Sequence, residues 1–241
     1  IYICVYPTLN LYALDIFRDA VMVLLIGLTL MVMKAYDHQN GAVKFAWLIP
    51  MLGMYYLVYE FRIYLAVALV TAFLLRELHV YRVNKILLFV LYMGGLLMIR
   101  SLGWLDFLLD YRALFEAVGG SSLNISLKVD DPLQFVMNYV LSVIYQFLGL
   151  RINTIALLVL FLTESTVVIV SSIYIYRHKK LVTKTEEYII LFAIVYAAIW
   201  TFFNDNMGTA IRLRMYDYLA ILIVAASLFL RQANATTEVK N

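Results

Sequence analysis

Between Asp19 and Lys34 the chain reads AVMVLLIGLTLMVM, a run without a single charged side chain. Similar runs recur down the sequence, and they constrain the fold more than any other feature. About 20 apolar residues cross the ~30 Å hydrocarbon core of a bilayer as a helix. Backbone placed there must satisfy its own hydrogen bonds, and a helix does so within one segment. Composition agrees, with 64% of the 241 residues hydrophobic and 15% charged, against roughly 45–50% and 25% in soluble domains. The expected fold class is all-α, a polytopic transmembrane helix bundle forming a single integral membrane domain over 1–241. The net charge of +3 is small and scattered, so no nucleic-acid footprint is present. Cys4 is the one cysteine, and His38, His79 and His178 lie in separate polar turns. Neither a disulfide nor a metal or cofactor site is expected from them. The sequence opens at Ile1 with no Met and no basic leader; the expectation is that residues, a further span among them, precede it.

Charge between the runs delimits seven expected spans: 13–33, 43–59, 62–78, 83–99, 154–176, 187–204 and 214–231. The second and third meet at Glu60-Phe61-Arg62 with almost no loop, and Pro50 and Gly53 should bend the second. The turns alternate in character. Segments 34–44, 76–85, 177–187 and 231–241 are dense in Lys and Arg, whereas 1–19, 60–62, 100–153 and 204–214 are sparse. The positive-inside rule puts the dense set, and the C-terminus with it, in the cytoplasm.

The sparse, outward set has a second peculiarity: all its cations but Lys128 are arginine. Topology needs no particular cation, but only Arg offers a planar fork for phosphate or carboxylate oxygens. Arg18, Arg62, Arg212 and Arg214 sit at helix mouths, with Asp15, Asp19, Glu60 and Asp205 alongside. Any one of these arginines reads equally well as a snorkelling anchor; the set of four reads better as a site.

Residues 100–153 form the one large segment between spans. WLDFLLDYRALFEAV places Trp104, Phe107, Leu108, Tyr111, Leu114 and Phe115 on one helical face, with Asp106, Asp110 and Glu116 opposite, the pattern of a helix at the membrane interface. Asn124-Ile125-Ser126 matches a glycosylation sequon, which carries weight only in a eukaryotic secretory protein. Asp131-Pro132 marks a helix start. The uncharged stretch behind it repeats Gln134, Asn138, Ser142 and Gln146 every four residues. That stretch is expected to be interfacial or re-entrant, serving either as a platform for a lipid-linked substrate or as a cap on the bundle. Within the spans, Glu164 should face protein or water, paired with Thr163, Ser165 or another helix. Asp217 is three residues from Arg214, within pairing reach.

Several stretches resemble bacterial oligosaccharide repeat-unit polymerases, the Wzy and EpsG-like group. They are NDNMGTAIRLRMYDYLAILI, ALDIFRDAVMVLLIGL, YEFRIYLAVALV and DDPLQFVMNYVLSVIYQFLG. Together they are spread over most of the chain, although each is short and such families usually have more than seven spans. The resemblance implies a glycosyltransferase of the cytoplasmic (inner) membrane. Such an enzyme joins polyprenyl-pyrophosphate-linked oligosaccharides on the outer side, without a nucleotide sugar or cofactor, among membrane lipids and partner proteins of polysaccharide assembly. Arg18, Arg62, Arg212 and Arg214 would then meet the lipid pyrophosphate, and Asp19, Glu60 or Asp205 would take the proton of the acceptor hydroxyl. Arg212 and Arg214, two residues apart, cannot share a helical face. Arg212 is expected to be the ligand, with Arg214 held by Asp217 and Gly208-Thr209 making the turn into the helix. The rival classes are a flippase or transporter of anionic lipid-linked sugars and a membrane scaffold or receptor. A rhodopsin-like receptor is disfavoured, because the sequence lacks its Asp-Arg-Tyr and Asn-Pro-x-x-Tyr motifs and a mid-helix lysine.

Overall fold

The computed structural model describes residues 17–80, 83–117, 122–152 and 154–238, and the side chains of all these except 17–18, 115–117 and 236–238. Among the described residues the chain is helical without a strand. In order, the helices are α1 (Phe17–His38), α2 (Gly41–Ala46), α3 (Leu48–Phe61), α4 (Ile63–Glu77), α5 (Lys85–Ser101) and α6 (Asp106–Ala117). They continue with α7 (Pro132–Leu148), α8 (Ile155–Leu160), α9 (Thr166–Arg177), α10 (Lys184–Phe203) and α11 (Met207–Glu238), and a π-turn, Phe161–Ser165, joins α8 to α9.

Five stretches are long and apolar enough to cross a membrane: Asp19–His38, Gly41–Phe61, Ile155–Arg177, Lys184–Phe203 and Met207–Ala235. A sixth arises if α5 and the start of α6, bent by 92°, count as one. Five or six of the expected seven spans thus meet this measure of length and composition, and α4 shows why one does not. At 15 residues, α4 rises only about 22 Å, short of the ~30 Å core.

The centre of the bundle is α10 with α11: 56% and 61% of their apolar windows are buried, against 17% for Gly41–Phe61 and for Ile155–Arg177. Tyr188, Phe192, Tyr196 and Trp200 recur every four residues along α10 and are all buried, the spacing of one helical face. α4 meets that face with Leu65, Ala68, Leu69 and Ala72, small enough in two places for close approach. Pro50 has no N–H for the Ala46 carbonyl, and the helix breaks at Trp47, between α2 and α3.

Arg62 is a one-residue hinge in extended conformation, φ −154°. The Tyr188 hydroxyl bonds both the Tyr55 hydroxyl (3.1 Å) and the Leu69 carbonyl (3.3 Å), residues on either side of that hinge. The chain therefore folds straight back on itself at Arg62, as the near-absence of a loop requires.

α7 begins as expected, with Asp131 accepting from Leu133 N at 3.0 Å and Pro132 in the first turn. Phe135 packs on Phe202, and Gln146 bonds the Thr201 and Asn204 carbonyls. Both ends of α7 thus meet the same last turn of α10, so α7 lies across α10 rather than alongside it. Ser142 and Gln146 are buried, Asn138 donates to the Ser126 carbonyl at 2.7 Å, and Gln134 is exposed. Of the expected apolar face in and just before α6, Trp104, Phe107, Tyr111 and Leu114 are exposed and Leu108 is half-buried against the core, the Phe115 side chain lying outside those described, while Leu105, Leu109 and Arg112 are buried.

Candidate functional site

Asp19, in the first turn of α1, is buried and gathers three partners. Its Oδ1 accepts from Arg62 Nη2 and from the Tyr216 hydroxyl (2.8 Å), and its Oδ2 accepts from Arg212 Nε. The helix starts of α1 and α11 and the Arg62 hinge are thereby drawn to one end of the bundle. Arg62 is 5% exposed at the side chain, donates to the Tyr64 hydroxyl at 3.1 Å and lies 5.6 Å from the centre of the Tyr216 ring. Arg212 keeps 26% of its side chain exposed. Among the described residues one carboxylate thus holds two guanidiniums, the outer of which is partly exposed. An aromatic floor supports them, with Tyr196 stacked on Tyr64 and Phe192 and edge-on to Tyr216.

Of the other expected site residues, Asp205 and Arg214 are engaged elsewhere. Asp205 is fully buried and committed elsewhere: Arg112 Nη2 reaches it at 2.6 Å, Ser122 Oγ at 2.5 Å and Asn124 N at 3.1 Å. Arg112 also caps the end of α10, donating to the Thr201, Phe202 and Asn204 carbonyls. Such a network ties the 122–125 strap and α7 to α10 and leaves Asp205 no open oxygen for an acceptor hydroxyl. Glu60 is exposed in the last turn of α3, two residues from Arg62. Arg18 is in the first turn of α1, its side chain not described, and Asp15 lies outside the described residues.

Arg214 is not held by Asp217. It is 1% exposed, reaches Glu164 of the π-turn at 3.4 Å and lies over the Tyr218 ring at 5.2 Å. Asp217 instead accepts from the Trp200 indole at 2.7 Å. Glu164 thus finds its partner on another helix, while Ser165 bonds the Tyr218 hydroxyl (3.0 Å) and Thr163 its own helix. The turn into α11 is made by Asn204 and Asn206 rather than by Gly208-Thr209: Asn206 Oδ1 accepts from Thr209 N at 3.1 Å, and Gly208 is already helical. The two arginines therefore lie inside α11 on opposite faces, Arg212 toward α1 and Arg214 toward the π-turn.

Sequence reasoning missed Tyr216 and Arg112. Tyr216 is one turn beyond Arg212, a spacing that puts it on the same face. Arg112 interrupts the inward stripe of α6 after Leu105 and Leu109, which marks a buried cation. Compared with known protein families, with curated proteins and with solved structures, the chain matches none.

Proposed function

We propose that the Asp19 end is the outer face of a membrane glycosyltransferase that joins lipid-pyrophosphate-linked oligosaccharide repeat units. The observation that carries this reading is the pair of guanidiniums gathered on one carboxylate: Asp19 accepts from both Arg62 and Arg212, and Arg212 is partly exposed. A lipid pyrophosphate leaving group needs positive donors fixed at the membrane surface before charge develops. Asp19 and Tyr216 fix them here. Asp19, with both oxygens engaged, orients cations rather than accepting a proton. Glu60, exposed beside Arg62, takes the acceptor hydroxyl's proton as the glycosidic bond forms and the lipid pyrophosphate departs. The C-terminus is then cytoplasmic, by the density of basic residues in the opposite turns.

The test is polymer formation from purified lipid-linked repeat units by protein in lipid vesicles. Arg212→Lys keeps the charge but loses the fork, and polymer yield should fall at least about tenfold with the fold unchanged, a loss of one charge-assisted contact. Normal polymer from Arg212→Lys and Glu60→Gln together would end the proposal. A transporter of the same lipids is the second reading, favoured by one observation: Glu164 and Arg214 form a buried pair between helices, on the face of α11 opposite the Asp19 cluster. Vesicle flip of labelled substrate without bond formation would select it.

A further inference from the structure

On the face of α11 opposite the Asp19 cluster, a cleft of about 430 Å³ is lined by Leu123, Ile125, Tyr145, Leu150, Arg151 and Ile152. Arg151 is the single charge in this apolar lining. It is half-buried, donates through Nη1 to the Ser122 carbonyl at 3.0 Å, and makes no salt bridge among the described residues. A guanidinium bonded to one carbonyl keeps most of its donors for whatever enters.

A second cation packs against the end of α7, next to the lining. Gly149 ends α7 in the left-handed region, φ 66°, and the Arg214 guanidinium occupies the space where a side chain at 149 would stand. Arg214 is buried, its Nε and Nη1 have no hydrogen-bond partner among the described residues, and its contact with Glu164 is long at 3.4 Å. Buried polar groups are almost always bonded, and an orphan points to a ligand, ion or water. Gly149, against which this guanidinium packs, directly precedes Leu150 of the cleft lining.

A half-buried cation among aliphatic side chains, with a second cation packed against the residue that precedes the lining, matches an amphiphile with a small anionic head. We propose that this cleft binds the phosphate head of an anionic lipid, with Arg151 as its direct ligand and Leu150, Ile152 and Tyr145 against the first carbons of its chains. Arginine donors suit phosphate oxygens in number and geometry. The site is separate from the Asp19 cluster and does not depend on glycosyl transfer.

The experiment is calorimetric titration of the purified protein in detergent with dioctanoyl phosphatidic acid, dioctanoyl phosphatidylcholine and inorganic phosphate. Phosphatidic acid should bind about tenfold more tightly than phosphatidylcholine, and inorganic phosphate more weakly than either. Arg151→Gln should weaken phosphatidic acid about tenfold, and Arg151→Lys should recover part of the loss. Ile152→Trp, at an exposed position of the wall, should fill the cleft and block binding without touching a charge. Arg212→Lys should leave the titration unchanged, so a failed polymer assay does not bear on this site. Equal binding of the two lipids, equal binding of inorganic phosphate, or full affinity in both Arg151→Gln and Ile152→Trp overturns the assignment.

Discussion

At the Asp19 end of the bundle one carboxylate accepts from two guanidiniums; at the other end one guanidinium donates to two carboxylates. Arg76, the last-turn arginine of α4, bonds both oxygens of Asp37 (2.9 and 3.0 Å) and the neighbouring Glu77. Thr185 closes on Asp37 at 2.6 Å, and the rings of Tyr36, Phe73 and Tyr188 surround the guanidinium at 5.5–5.9 Å. Beside it Arg231 of α11 takes both oxygens of Glu186, which also completes the capping box with Thr183. Arg76 and Arg231 are each matched by at least one carboxylate. The same helices, α1, α4, α10 and α11, are pinned at both ends, but at the Asp19 end two cations share one buried carboxylate, whereas at the other one buried cation takes two carboxylates. That reversal separates a pin that gathers positive charge from one that is purely structural.

The most severe way to probe this contrast is to remove each carboxylate. Asp19→Ala strands the buried Arg62 and should cost about 3–5 kcal/mol, the usual penalty for orphaning a buried charge. Asp37→Ala should cost about half as much, because Arg76 keeps Glu77 and its aromatic box. Thermal unfolding in one detergent measures both, and a larger loss at Asp37 would invert the comparison. Next in size is Gly149→Ala, which forces a side chain into the left-handed region and displaces the Arg214 guanidinium; about 1–2 kcal/mol is expected. Since the Asp19 cluster is on the other face of α11, Gly149→Ala should leave Arg212-dependent activity intact. Tyr216→Phe removes one hydroxyl bond to a carboxylate and should cost about 1.5–3 kcal/mol at most, less if water replaces it.

Most of this arrangement was legible from charge placement, and the failures have physical causes. Charges in turns of one set meet one another: Asp19 finds Arg62 and Arg212, and Asp37 finds Arg76. The pairing inside helices was not legible. Arg214 and Asp217 are at favourable spacing on one helix, yet each prefers a partner from another element, Glu164 and Trp200. Local spacing is worth only ~0.2–0.5 kcal/mol, which tertiary packing easily outweighs. The expected span begins at Arg214, with the two arginines opening the helix, whereas α11 begins at Met207 and pairing lets Arg214 enter the buried interior. Asp205 looked like an open base because its strongest partner, Arg112, lies far back in the sequence.

The smallest effect tests the contrast most finely, and it lies within the Asp19 cluster itself. Arg62 is 5% exposed, is bonded to Tyr64 as well as Asp19, and lies near the Tyr216 ring. A lysine there keeps the charge but loses the second bond and the planar stacking, so Arg62→Lys should lower stability by about 1–2 kcal/mol. Arg212, with 26% of its side chain exposed, sits where solvent weakens the pair, and Arg212→Lys should cost below about 1 kcal/mol. The sign to look for is a dissociation of readouts. Arg62→Lys should move the unfolding midpoint, whereas Arg212→Lys should leave it within a few degrees and change only what the surface binds. A matching drop in stability for both would make Arg212 a second pin. The Asp19 end would then differ from the Arg76 end in charge count alone, and its two guanidiniums would carry no argument for a ligand.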